Sequence, residues 1–212
     1  MQLFYAPDIR PPQYTLSEEE SKHCVRVVSA EEEFERLPYR LTMAVAPTKN
    51  ADRFEWFLEK ATEVGVTQII PLETARSERR VFKPERGEKV ITAAMKQSLK
   101  AYRPQLDALT PFRDAVAAPF AGRRMIAHCD AARTPEGKAY LASTLRAGEA
   151  AQIFIGPEGD FSPEEIAFAL DNGFEEITLG PQRLRTETAA LVAVVMAATV
   201  NGQATAGEPH ES

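Results

Sequence analysis

Cysteine, histidine and tryptophan are scarce in this sequence, at two, three and one in 212 residues. Cys24 and Cys129 stand far apart without CxxC spacing, so free thiols in a reducing compartment are expected rather than a disulfide. One of the three histidines falls in the polar tail, which leaves too few ligands for a His/Cys metal site. The longest apolar run, Ala189 to Ala198, falls short of the roughly 20 residues that span a bilayer, and no membrane partner is expected. The opening MQLFYAPDIRPP lacks the basic and apolar regions of a secretory signal, so the expected location is cytoplasmic. Neither GxGxxG nor GxxxxGK(S/T) occurs, which argues against a Rossmann-type reductase.

What is present is the composition of an ordinary globular chain, 44% hydrophobic and 26% charged, long enough for one large domain or two small ones. A formal net charge of −6 argues against a nucleic-acid partner until its distribution is read. Between Thr74 and Arg103 stand nine Lys or Arg against three Glu, which leaves 16 bases and 28 acids elsewhere. A concentrated basic patch on an acidic protein suits phosphate binding with little non-specific adhesion. The same run also suits a solvated helix face with its loops.

Residues 1–38 contain proline and acidic residues with few strand-like runs, LFYA and VRVV, and SAEEEFERLP reads as a linker. From Leu41 the pattern becomes regular. LTMAVA (41–46), TQIIPLE (67–73), MIAHCD (125–130), AQIFIG (151–156) and EITLG (176–180) are short runs suited to strands. RFEWFLEKATEVG places Phe54, Phe57, Leu58, Ala61 and Val64 on one helical face ended by Gly65, with Trp56 expected in the core. Residues 88–102 predict a second amphipathic helix with Val90, Ile91, Ala94, Met95 and Leu99 inward. In SPEEIAFALDNG, Ser162 is the N-cap, Pro163 sits at N1, Glu165 closes a capping box and Gly173 takes the C′ position. Strands alternating with helices predict a parallel α/β sheet, whose ligands sit at the carboxyl ends of the strands. Residues 203–212 are polar and expected to be disordered.

Three strand ends stand out: AHCD (127–130), IGPEGDF (155–161) and LGPQRLRTETA (179–189). Two share a strand-Gly-Pro pattern. Glycine lets the backbone approach a ligand closely, while proline stiffens the turn and removes a competing N–H. Such loops can present backbone groups to a flat heterocycle, and each taken singly also suits a plain turn. Lys49, Arg76, Arg79 and Arg80 follow strand ends on the same edge, where phosphate contact is expected. Taken together, IGPEGDFSPEEI followed by LGPQRLRTETAALVA resembles the C-terminal signature of the SPOUT methyltransferases. The similarity is greatest to the bacterial 16S ribosomal RNA uracil-N3 methyltransferase family. It extends upstream through APTKNADRFEWFLEKATEVGVTQIIPLETARSER and KQSLKAYRP, and weakly to MQLFY and HCVRVV.

The resemblance implies an α/β fold with a trefoil-knotted parallel sheet over 39–202, preceded by a small, incomplete PUA-like β unit over 1–38. It implies S-adenosylmethionine bound among the strand-end loops, and a homodimer paired through the knot helices. By position, the cofactor residues are Ile155, Gly156, Pro157, Glu158, Gly159, Leu179, Gly180, Gln182, Leu184, Arg185 and Thr186, with His128 at the end of its strand. His128 also suits a core or strand-capping role, and Thr186 the N-cap of the last helix. The implied substrate is 16S ribosomal RNA or the small ribosomal subunit, gripped by Arg10, Lys22 and Arg26 in the N-terminal unit. The N3 of uracil is a weakly acidic imide, and Arg185 could stabilise charge on the ring as its proton leaves. A structural ion pair of Arg185 with Glu187 or Glu158 is the alternative role. Methylation of ribose 2′-OH or of another base, and an RNA-binding knot protein without catalysis, are the alternative functions. The sequence departs from the family at several positions. Asp160 stands where a second glycine is usual, and Gln182 with Arg183 replaces an Arg-hydrophobe pair. Lys96 and Lys100 stand where Glu and Arg are common. VRVV passes almost directly to EEEFERLP, so the barrel strands expected there are either reduced or outside this sequence.

Overall fold

The computed structural model describes residues 12–14, 27–30, 36–129 and 138–205, with side chains over 36–129 and 138–202. Two short strands, β1 (Pro12–Tyr14) and β2 (Val27–Ala30), pair antiparallel. The LFYA run lies outside the described residues. From β3 (Leu41–Val45) onward the chain alternates strand and helix as expected. It continues through α1 (Ala51–Val64), β4 (Gln68–Glu73), α2 (Pro84–Ser98), β5 (Gln105–Leu106), β6 (Thr110–Pro111) and α3 (Phe112–Ala117). It ends with β7 (Arg123–Ala127), β8 (Ala139–Tyr140), α4 (Leu141–Thr144), β9 (Ala151–Ile155), α5 (Pro163–Asp171), β10 (Glu175–Thr178) and α6 (Thr186–Thr205). Every pairing in this larger sheet is parallel, in the order β5-β4-β3-β9-β7-β10-β8, with β6 also on β4.

β3 and β9 are buried at every residue, as strands covered on both faces must be. Alternation along them sorts side chains into two cores. Leu41, Met43, Val45, Ile153 and Ile155 face the layer of α1, α2 and α6, where Phe57, Leu58, Ile91 and Val194 meet them. Ala44 and Phe154 face the layer of α3 and α5, where Phe112, Phe161, Ile166 and Phe174 pack. Phe154 meets Phe174 edge-on at 4.7 Å, and Phe112 lies 5.4 Å from Phe161. Such ring pairs contribute about 0.5–1.5 kcal/mol each beyond the area they bury.

Local chemistry sets most helix ends. Asn50 caps α1 by accepting the Asp52 N–H, and the Gly65 N–H closes it on the Ala61 carbonyl. The capping box of α5 is complete, with Ser162 and Glu165 each bonded to the other's backbone. The second helix differs from expectation. It spans Pro84–Ser98 rather than 88–102, because Pro84 is favourable at its first turn and Leu99 turns left-handed at its end. Leu99 is consequently 51% exposed instead of inward, and Val64 of α1 is only half-buried. Trp56 is also not a core residue: at 42% exposure it lies outside the buried stripe of α1. α6 runs to Thr205, three residues into the stretch expected to be disordered. Among the described residues no helix is long and apolar enough to cross a membrane.

Candidate functional site

Parallel strands aim their carboxyl ends one way, so the loops after β3, β4, β7, β9 and β10 gather along one edge of the sheet. The loop after β9 is central because β9 lies between β3 and β7. Three carboxylates at or near that loop pin its neighbours. Glu158 Oε1 accepts the Lys49 N–H beyond β3 at 3.0 Å. Asp160 Oδ2 accepts the Cys129 N–H beyond β7 at 2.7 Å. Glu165 Oε1 accepts the Ala75 N–H beyond β4 at 2.7 Å. In return, Arg76 Nη1 donates to the carbonyls of Gly159 and Phe161 at 2.9 and 3.3 Å. Hydrogen bonds with one ionised partner are roughly twice as strong as neutral ones, so the edge is ordered before any ligand arrives.

Backbone geometry explains the glycines of these loops. A Cβ on Gly156 would stand 3.1 Å from the Phe161 nitrogen, so a side chain there would force the tight turn open. Gly180 has φ 124, which L side chains rarely adopt, and a Cβ built there would meet nothing within 4 Å. The Thr178 hydroxyl braces that turn by bonding both the N–H and the carbonyl of Gly180 at 3.2 Å. Asp160 adopts φ 61 without being glycine; its Oδ1 accepts the Phe161 N–H at 2.8 Å, and its own N–H reaches the Pro157 carbonyl.

The expected cofactor residues fall at this edge. Ile155, Gly156 and Pro157 are buried at the end of β9, while Glu158 and Gly159 are exposed above them. Leu179, Gly180 and Leu184 are half-buried, and Gln182 and Arg185 are exposed. The Arg185 carbonyl accepts the Ala189 N–H at 2.8 Å, and α6 begins at Thr186. Arg185 therefore occupies the cap position, and Thr186 is the first helical residue rather than the N-cap. Neither carboxylate considered for pairing with Arg185 is engaged with it. Glu187 is buried and pairs with Arg53 of α1 at 3.7 Å, and Glu158 serves Lys49. Among the described residues Arg185 has no ion-pair partner.

His128 is closed in. Its Nε2 lies 2.8 Å from Glu176, and its Nδ1 and carbonyl both lie within hydrogen-bond reach of Lys138 Nζ. Burial pushes the ring's pKa below the ordinary histidine value, opposed by the hydrogen bond to Glu176 and reinforced by the charge of Lys138. The basic residues after β3 and β4 are also occupied locally. Lys49 pairs with Glu78 at 2.7 Å and Arg80 with Glu73 at 3.4 Å. Arg79 donates to the carbonyls of Val81 and Lys49. Arg10, Lys22 and Arg26 lie outside the described residues. Asp160 and Glu165 are the pinning residues that sequence reasoning missed. Both were visible as a departure and as a cap, but their second partners come from strands distant in the chain.

Residues 35–198 match the family model of the RNA methyltransferase domain. The Ribosomal RNA small subunit methyltransferase E of Synechocystis sp. is 34% identical over 167 residues, covering 74% of this chain. The chain spans about half, 52%, of that relative's length. A "probable rRNA-methyltransferase" solved from Porphyromonas gingivalis is 42% identical with TM-score 0.79, covering 85% of this chain and 75% of its own. The Ribosomal RNA small subunit methyltransferase E of Neisseria gonorrhoeae, solved bound to S-adenosyl methionine, is 26% identical with TM-score 0.72. The overlap with it covers 83% of this chain and 72% of that one.

Proposed function

This chain belongs to the RNA methyltransferase domain family, and we propose that it transfers a methyl group from S-adenosylmethionine to uridine N3 in 16S ribosomal RNA. The observation that carries the reading is the pinned carboxyl edge, which bears two Gly-Pro turns and Arg185, a cation with no ion-pair partner among the described residues. The names of the relatives support the ribosomal substrate, and the cofactor in the Neisseria structure supports the methyl donor.

The residues present fit such a donor. Gly180 opens onto free space, Leu179 and Leu184 offer half-buried apolar surface, and the Gly156–Gly159 backbone is held in place by its neighbours. Bound there, S-adenosylmethionine would supply an activated methyl on a positively charged sulfur. The protein's part is then to place the acceptor and exclude water, which well-oriented sites can turn into a large rate gain. Arg185 stabilises negative charge on the uracil ring as the N3 proton departs. His128, enclosed by Glu176 and Lys138, acts from behind by holding the strand end rather than by touching the donor.

The finer architecture follows the same reading. Residues 179–185 leave β10 and deliver α6 onto α1 and β3, beyond β7 and β9 in the sheet. That return past two intervening strands supports a trefoil knot. The outer side of α6 carries Leu191, Val192 and Val195, the last 43% exposed, which supports a homodimer through this helix. In this reading the 39–202 unit is the transferase, and residues 1–38 are a reduced or incomplete PUA-like RNA-binding unit with its linker. Calorimetric titration with S-adenosylmethionine tests the first step, and no heat at near-millimolar donor would end the enzyme reading. Small subunits methylated with labelled donor and mapped by nucleotide test the second. Label on ribose instead of uracil N3 would replace the acceptor.

A further inference from the structure

A cleft of about 800 Å³ opens at the other edge of the sheet, by the amino ends of β3, β4 and β9. Arg36, Arg40, Lys100 and Arg103 line it with Tyr39 and Tyr102, and no Asp or Glu is among the described residues on its walls. In a chain of net charge −6 this is a marked local excess of positive charge. Arg103 is neutralised by Glu88 behind it, and Tyr39 is tied to the Gly65 carbonyl at 3.0 Å. Lys100 and Arg40 have no carboxylate partner among the described residues. Arg40 instead stacks over Phe120 at 5.0 Å, which holds its charge beside the cleft. Tyr102 is 38% exposed, a flat aromatic surface two residues from Lys100.

We propose that this amino-edge cleft is a second RNA contact, with Lys100 and Arg40 meeting phosphates and Tyr102 stacking on an unpaired base. Cations with no carboxylate partner among the described residues, beside an exposed aromatic ring, are the chemistry of single-stranded nucleic acid binding. The bases directly after β3 and β4, Lys49, Arg76, Arg79 and Arg80, are engaged with neighbouring carboxylates and carbonyls, whereas Lys100 lies at the far end of the same basic stretch. The cleft therefore holds cations better placed to exchange counterions for RNA. β3 separates the two edges by five residues, or about 17 Å at ~3.3 Å per residue, a span that a folded RNA bridges within a few nucleotides. The proposal rests on the methyltransferase reading only in naming ribosomal RNA as the ligand.

Binding of full-length chain to a fluorescent 16S rRNA transcript, followed by anisotropy across a salt series, tests it. Lys100→Ala is expected to weaken binding several-fold at low salt and to lower the slope of log K against log salt by about 0.7–0.9. Tyr102→Ala is expected to weaken binding without changing that slope. Both variants should retain the melting temperature and donor affinity of the parent chain, since neither residue touches the carboxyl edge. Unchanged RNA affinity and slope in Lys100→Ala, with the fold intact, would overturn the proposal, as would absence of RNA binding by the parent. A chain that binds no S-adenosylmethionine yet shows the Lys100-dependent slope would end the transferase reading and leave the cleft as an RNA site.

Discussion

At the scale of single residues, the roles proposed for Arg185 in chemistry and for His128 in support go with opposite surroundings. Arg185 is exposed, unpaired among the described residues and at the mouth of α6, so removing its side chain disturbs little packing. Arg185→Ala is expected to keep its melting temperature within about 1–2 °C while turnover falls by about 10²-fold or more. Single-turnover assays with labelled donor read this, and near-normal rates would return Arg185 to a structural role. His128 is the reverse case. Burial favours its neutral ring, with Glu176, Lys138 and Asp160 as the charges around it. The unfolded chain then binds a proton more readily than the folded one, so stability is lost as pH falls below about 6.5. Melting temperature is expected to drop between pH 7 and pH 5, and His128→Gln to flatten that drop. An unaltered slope in the variant would assign it to other groups. Asp160 joins the two roles. Asp160→Gly relieves a left-handed conformation but frees the Cys129 N–H. Little change in stability and a roughly five-fold weaker donor affinity, about 1 kcal/mol, are the expected result by calorimetry.

At the scale of elements, α5 shows how one signal carries two functions. The Ser-Pro-Glu-Glu start was legible as a capping box because every partner lies within three residues. The second bond of Glu165, to the Ala75 N–H, was not legible, because its partner follows another strand. Glu165→Ala is expected to lose about 2 kcal/mol, half from the cap and half from the loop pin. For a chain of this size, that is a fall of about 4–8 °C in melting temperature. Glu165→Gln keeps one acceptor oxygen and replaces the other with an NH2 donor, so it should recover about half of the loss; equal falls in both variants would exclude the double role. α2 is the counter-example. Its apolar spacing points inward at Ile91, Ala94 and Met95, which are buried, but predicts both ends four residues beyond where they lie. Leu99, apolar and in phase, marks the end only through a left-handed turn, which spacing does not encode.

At the scale of the molecule, α6 resolves a conflict between its composition and its position. One side, with Ala190, Ala193, Val194 and Ala197, is buried against α1 and the sheet. The other side is nearly as apolar and is only partly covered in the single chain. Leu191→Asp with Val195→Asp is expected to halve the mass measured by light scattering and to leave the far-ultraviolet spectrum unchanged. A parent chain that already runs as a monomer at micromolar concentration would remove the dimer. Donor affinity should fall with dissociation if the partner completes the site.

The sequence by itself determined the alternation of strands and helices, the polar turns at the strand ends and the caps of α5. These depend on period and on neighbours a few residues apart, which a linear chain displays. Tertiary structure decided which cations are free and which are spent. Lys49, Arg79 and Arg80 look available in the sequence, but Lys49 pairs with Glu78 and Arg79 reaches the Lys49 carbonyl across the loops after β3 and β4, and Arg80 pairs with Glu73. Lys100 and Arg40 come together from separate elements. It also decided that Trp56 is exposed and that Asp160 and Glu165 tie distant loops together. The reason is physical: electrostatic pairing and burial depend on distance in space, and a parallel sheet brings together strand ends far apart in the chain.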